Sequence, residues 1–462
     1  MQDSKSKHLE GAQLLRKQFG QHGRGAFSGA LSELDICTVV ERHVKVSRHR
    51  AYPPLKTLCL FVGQILSGGR ACQDAVVRHL SERVSTGITP ASLNTAAYCE
   101  ARQRLPVALA SDLSHLLCAR LEALTPKEWR WQGRSVKLFD GTSVSMPDTP
   151  SNQAKFPQSG RQAEGLGFPM ARIGALIGLA SGGVLGYQVT ALRGKGSGEQ
   201  TALHALLDKI HPTDLVLADA LLATWWLIHA IQSRGADAVM AQHGCRSSDF
   251  EQGQVLGKND HIVEWLRPKK PSWMSEEEYA GCPPTLRMRE TKVNGRVIVT
   301  TLLEPTYVSA PALDRLYALR WNIEVDFRVI KATREMDVLR CKSSEMIEKE
   351  IAIYMLAYNL VRWAMSASAL LAQVIPRVLS FSGAKRLLVN LQPLFTGAKP
   401  KKLASITTHL LSSIGALRLP DRPGRIEPRA KKRRPKNLPL LTQPRQEARQ
   451  AILIQRGLNL VP

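Results

Sequence analysis

Acidic side chains are in short supply: 39 Asp and Glu stand against 63 Lys and Arg in 462 residues, a formal charge of +24. That balance disfavours a basic partner and favours an extended polyanion, because each phosphate neutralised by Lys or Arg releases condensed counterions. Nucleic acid is the expected partner. The eight cysteines, at 37, 59, 72, 99, 118, 245, 282 and 341, lie far apart with no C-x2-C pair. This excludes the usual zinc-site spacing and leaves reduced thiols with packing roles. The opening MQDSKSKHLEG is too polar for a secretory leader. An uncharged run long enough to span a bilayer occurs at Ile173 to Leu192, but its five glycines and Gln188 suit two strands around Ser181-Gly182-Gly183. No transmembrane helix is expected, and no repeat of solenoid length occurs. What is present, a hydrophobic share of 44%, is that of a folded protein.

The texture changes along the chain mark six segments. Residues 1–30 are polar and basic, without sustained periodicity. Residues 31–128 carry apolar positions at spacings of three and four, predicting a helical N-terminal domain. From 129 to 243 the pattern turns to short apolar strands: Ser135 to Asp140, Arg172 to Ala180 and Val184 to Leu192, then Asp214 to Asp219 and Asp237 to Ala241 after intervening helices. Ser197 and Gln200 have the form of a capping box for a helix at Thr201 to Ile210. The order β, β, β, α, β, α, β predicts an α/β fold with a mixed sheet covered on both faces.

Residues 244–308 interrupt this pattern for a length too great for a plain loop, so a β-rich insertion with its own fold is expected. Within it, Asn294-Gly295 between two β-rich runs is a type I′ hairpin signal. Residues 309–395 return to helix, first amphipathic and then almost uniformly apolar in IAIYMLAYNLVRWAM. Residues 396–462 end in a basic segment. Eight Lys or Arg lie between 422 and 436, against Glu427 alone, and prolines at 423, 428, 435 and 439 block a helix.

Metal-assisted phosphodiester cleavage requires oxygen ligands converging from separate elements, because two hard cations must clamp the attacking and leaving oxygens. Asp140 and Asp219 each end an apolar strand, where open α/β sheets place their sites, although either also fits a turn or cap. Asp148 and Asp214 fit loop or capping roles better. On the helix after the insertion, Tyr317, Arg320, Glu324 and Lys331 fall within about 60° of one another, with Arg328 about 20° beyond. Leu316, Leu319, Ile323, Phe327 and Ile330 would form the buried face, and Asp326 points away from the stripe. One acid among phosphate-binding donors is thus the third candidate. Trp225, Trp226 and the apolar run near Tyr354 read as core.

Tyr317, Arg320, Glu324 and Lys331 match Y-x2-R-x3-E-x6-K, and the segment FDGTSVSMPDTPSNQAKFPQ surrounds Asp140. In these motifs, and in CQDAVVRHLS, NTAAYCEARQRLP and RPGRIEPRAKKRRPK, the chain resembles the IS4-family DDE transposases. The resemblance implies an RNase H-like core in which Asp140, Asp219 and Glu324 are catalytic and bind two Mg²⁺ ions, with Mn²⁺ able to substitute. It implies that Tyr317, Arg320, Arg328 and Lys331 contact DNA, as would Arg429, Lys431, Lys432, Arg433 and Arg434 in the tail. Partners would be transposon terminal inverted repeats and target DNA, engaged by a homodimer in a bacterial, nucleoid-associated setting without a membrane. The helical segment 31–128 would bind transposon ends, and Trp265 or Trp273 could stack on a flipped base. One departure is Ala220, where many relatives carry Arg after the second Asp. A domesticated, inactive DNA-binding protein and a structure-selective nuclease on the same fold are the alternatives.

Overall fold

The computed structural model describes residues 30–44, 51–68, 71–85, 92–333, 336–395, 398–420 and 439–455. Among the described residues, five α-helices precede the first strand: α1 (Glu33–His43), α2 (Pro54–Ser67), α3 (Cys72–Ser85), α4 (Ala96–Arg104) and α5 (Val107–Ala123). Their boundaries have local causes. Ser32 accepts from the Asp35 amide at 3.2 Å while Asp35 accepts from the Ser32 amide at 2.9 Å, closing a capping box before α1. Pro54 occupies the first turn of α2, where its missing N–H costs nothing, and Gly68 ends that helix at φ 78°. The apolar faces of α1, α2 and α5 share one buried cluster with the sheet and the C-terminal helices.

The sheet begins with β1 (Val136–Ser145), followed after α6 (Pro150–Lys155) by β2 (Met170–Gly178) and β3 (Val184–Ala191). The uncharged run therefore forms a hairpin, with Gly182 at φ 68° in its turn, and among the described residues no helix is long and apolar enough to cross a membrane. After α7 (Glu199–His204) come β4 (Leu215–Ala218), α8 (Trp225–Gln232) and β5 (Asp237–Ala241). The first five strands are ordered β3-β2-β1-β4-β5, with β2 antiparallel to its neighbours and β4 parallel to β1 and β5. This is the RNase H-like arrangement expected of the mixed sheet.

The expected β-rich insertion is present as β6 (Gln254–Gly257), β7 (Asp260–Leu266), the short α9 (Glu276–Ala280), β8 (Thr285–Val293) and β9 (Arg296–Thr300). Asn294 and Gly295 take φ 51° and 76°, the positive values a type I′ turn requires. The insertion does not close on itself, however. β9 pairs antiparallel with β5, matching Val239 to Thr300 and Ala241 to Ile298, so all nine strands form one sheet. The otherwise open edge of β5 is thereby satisfied.

The capping box foreseen at Ser197 is not formed. Its hydroxyl donates to the Gly194 carbonyl at 2.7 Å, Gln200 donates to the Leu221 carbonyl at 3.0 Å, and Gly198 is the N-cap. The helix consequently starts two residues earlier than expected, at Glu199.

The single amphipathic helix foreseen after the insertion is segmented. α10 (Ala310–Ala318) passes through a 3-10 turn at Leu319–Trp321 into α11 (Asn322–Arg328) and a π turn at Val329–Thr333. Each change of helical pitch rotates the residues C-terminal to it, so uniform periodicity misplaces them. Leu319, assigned to the buried face, is 39% exposed, whereas Tyr317, assigned to the polar stripe, is buried. The apolar run lies in α12 (Ser344–Leu371), buried along most of its length, and α13 (Phe381–Phe395) and α14 (Pro400–Ala416) pack against it; α15 (Arg445–Gln455) comes last.

Near the end of α5, Glu122 accepts from the Ser181 hydroxyl at 3.2 Å. Burial pushes its carboxyl above the ordinary value, against the lowering influence of Ser181, Lys137 and Arg130. The charged form therefore lowers fold stability above the raised folded value, and this cost disappears below about pH 4, where folded and unfolded carboxyls are both protonated. Glu122→Gln is expected to raise the Tm at pH 8 and to lose that gain at pH 4. Thermal melts of both proteins at the two pH values check this.

Candidate active site

Asp140 lies within β1 rather than at its end, because β2 pairs with β1 as far as Ser145. On the other side, β4 pairs with β1 only from Val136 to Leu138, the last match being Leu138 to Leu217. Two residues beyond that match stand Asp140, still within β1, and Asp219, one residue past the end of β4. Parallel pairing of two interior strands thus carries two acids distant in sequence to one side of the sheet's centre.

Glu324 arrives from α11 on the face covered by the larger apolar cluster, where Ile323 and Phe327 anchor the helix. Its link to the strands is Arg320. The Arg320 guanidinium lies 3.2 Å from Asp140 Oδ2 and 3.6 Å from Glu324 Oε1, with its side chain only 13% exposed. Burial, with the charges of Asp219 and Glu324, pushes the Asp140 carboxyl above its ordinary value, while the Gly141 amide at 2.7 Å and Arg320 pull the other way. Among the described residues, no three metal-type side chains close around a single point. Like charges this near one another separate unless a cation lies among them, and here Arg320 supplies the positive charge.

The donors nevertheless suit a hard divalent cation. All three acids offer oxygen, and Asp219 Oδ1 is buried without a hydrogen-bond partner, a costly state that a cation would relieve.

The other expected contacts are distributed unevenly. Lys331 donates to the Thr142 hydroxyl at 3.3 Å, two residues beyond Asp140 on β1, and Arg328 is exposed. Tyr317 is 6% exposed, with the Arg296 and Arg320 guanidiniums 5.2 and 5.9 Å from its ring centre. Arg429, Lys431, Lys432, Arg433 and Arg434 lie outside the described residues. Trp265 is buried, donates to Glu290 at 2.7 Å and carries Arg246 over its ring, so it has no free face for a base. Trp273 is 59% exposed. Asp214 pairs with Lys137 at 2.6 Å, and Asp148 accepts from Gln153 at 2.8 Å, both structural as expected.

Two residues escaped the sequence reading. Asp326, dismissed for its angle, is fully buried between Arg362 at 2.5 Å and Arg377 at 3.0 Å. Glu199 packs against Gly141, beside Asp140. An acid in the first turn of the helix after β3 was the one available signal for it.

An RNase H-like sheet with Asp140 on β1, Asp219 just past β4 and Glu324 on a covering helix fits the DDE class of polynucleotidyl transferases. Residues 131–360 match the family model described as the transposase DDE domain. The chain is 26% identical over 351 residues to the transposase InsG for insertion sequence element IS4 of Escherichia coli (strain K12), covering 74% of this chain and 78% of that protein. The two matches are thus to a transposase DDE domain and to an IS4-element transposase, in keeping with the motifs around Asp140 and Glu324. Among solved structures it is similar to a piggyBac transposase in a synaptic complex with hairpin DNA, at 9% identity and a TM-score of 0.41, covering 90% of this chain and 87% of that one.

Proposed function

We propose that this transposase cuts DNA at insertion-sequence ends and joins the freed 3′-hydroxyls to target DNA, using Asp140, Asp219 and Glu324 to hold two Mg²⁺ ions, with Mn²⁺ able to replace them. The observation that carries this reading is the bridging of Asp140 and Glu324 by Arg320, together with a buried Asp219 oxygen left unpartnered. When bound, the ions would activate the attacking oxygen and stabilise the leaving one.

The chain's own residues prepare that chemistry. Asp140 on β1 and Asp219 just past β4 define one side of the site, and Glu324 the other. Arg320 balances their charge and can turn its guanidinium to a DNA phosphate as cations enter, since a planar fork suits carboxylate and phosphate alike. Lys331 and exposed Arg328 extend this phosphate contact, while Tyr317 backs Arg320 from within the core. The helical segment 31–128 would engage the ends, the basic residues 429 and 431–434 would add phosphate contacts, and a homodimer would hold two ends together. Exposed Trp273, rather than buried Trp265, would stack on an extruded base.

The test supplies a pre-cut end and target DNA to the full chain with Mg²⁺ and again with chelator. Joined product that requires Mg²⁺ is expected. Nicking without joining would indicate a structure-selective nuclease, and end binding with neither reaction a domesticated binder.

A further inference from the structure

A fourth acid stands beside the site, on the opposite face of the sheet. Strand alternation puts Phe139 and Gly141 on the face of β1 away from Asp140, and Phe139 belongs to the smaller apolar cluster with Ala202 and Leu203 of α7. That helix sits unusually close to the strands. Gly141 of β1 pairs with Gly174 of β2, and both lack side chains where α7 crosses them. A Cβ on Gly174 would meet Ala202 Cβ at 2.6 Å, and one on Gly141 would meet Glu199 Oε1 at 2.4 Å. Glu199 and Ala202 are one helical turn apart, so seating one over Gly174 lays the other along Gly141.

The result is a carboxylate against the backbone of the residue next to Asp140. Its ion-pair partner, Arg172, is 3.8 Å away, beyond hydrogen-bond reach, while Arg172 donates to the Ser197 carbonyl at 2.8 Å. Glu199 thus has one long ion-pair partner, Arg172, and two like-charged neighbours, Asp140 and Asp219. Burial and the charges of Asp140 and Asp219 push its carboxyl above the ordinary value. An arrangement of this kind raises the energy of the cation-free protein and is relieved by a divalent ion.

We propose that Glu199 is a positioning residue of this site, reaching it from the face opposite Glu324 and orienting the water shell of a divalent cation held by Asp140 and Asp219. The assignment rests on those two acids binding the cation. Glycine at 141 is then required because its bare Cα admits Glu199, while its backbone amide holds Asp140.

Titration of Mn²⁺ into the full chain, tracked by the electron paramagnetic resonance signal of the free ion, tests this without DNA or turnover. Asp140→Asn is expected to abolish tight binding. Glu199→Gln, which keeps the side chain's shape, is expected to raise the Kd about tenfold, the effect typical of removing an outer-shell partner. Gly141→Ala, which displaces Glu199, should raise the Kd similarly and add nothing when combined with Glu199→Gln. Wild-type affinity in Glu199→Gln, alongside loss in Asp140→Asn, overturns the role of Glu199 alone. Wild-type affinity in Asp140→Asn overturns the cation site as well. Circular dichroism verifies each fold; if Glu199→Gln fails to fold, Gly141→Ala decides, an unchanged Kd counting against the proposal.

Discussion

Asp140→Ala is expected to lose Mg²⁺-dependent nicking by about a thousandfold or more while retaining binding to end DNA. A cation that polarises a phosphoryl oxygen contributes several kcal/mol to the transition state, and about 4 kcal/mol corresponds to a factor of about a thousand. Asp140 lies against Arg320 on β1, so in the proposed site its removal takes away one of the two acids on the sheet. Binding should survive or strengthen, because one negative charge facing the phosphates disappears and Arg320 is freed from its nearest carboxylate. Plasmid nicking and gel retardation measure the two effects separately. The control is Asp148→Ala, an acid whose contact is with Gln153 in a loop, which should nick at the wild-type rate. A rate for Asp140→Ala within tenfold of wild type would remove Asp140 from the catalytic set.

The second large effect concerns stability. Asp326 is wholly buried two residues beyond Glu324, and its carboxylate accepts from Arg362 of α12 and from both terminal nitrogens of Arg377. Those guanidiniums continue the network: Arg362 donates to the Tyr358 hydroxyl at 2.8 Å, Tyr358 donates to the Gly182 carbonyl at 2.8 Å, and Arg377 donates to the Leu179 carbonyl. The network ties α11 to α12 and to the β2–β3 turn. Asp326→Ala would leave two guanidiniums in a low-dielectric interior without their carboxylate, and breaking a buried pair from one side costs about 3 to 5 kcal/mol. Chemical denaturation should show a loss of that size. A loss under about 1 kcal/mol would mean that water or another acceptor replaces the carboxylate. Since α11 is bounded by a 3-10 turn and a π turn, it depends on such tertiary ties for its orientation. Nicking by Asp326→Ala should fall as well, even under conditions where the protein remains folded.

Much of the sheet was legible in the residue order alone. Short apolar runs bounded by glycine became β2 and β3, and Asn294-Gly295 became a hairpin turn, because alternation and positive φ are properties of a few neighbouring residues. The joining of β9 to β5 was not legible, since strand partners separated by a long insertion leave no mark in either segment. The segment 311–333 shows the opposite failure. Its periodicity correctly placed Ile323, Phe327 and Ile330 in the core, but the 3-10 turn that begins at Leu319 breaks the single period, and Tyr317 is inside and Leu319 outside. Trp265 and Trp273 were equivalent as letters and were separated only by burial.

The sequence by itself determined the strongly basic balance, the strand segments and the identities of the acids Asp140, Asp219 and Glu324 as residues out of keeping with apolar or basic surroundings. Those are local matters of composition and spacing. Only the tertiary structure decided what each charge does: Arg320 bridges two acids, Asp326 holds two arginines in the core, and Glu199 comes through from the far face against Gly141. The reason is physical. The energy of a charged group depends on its distance from other charges and on the water left around it, and both are set by packing between segments far apart in the chain.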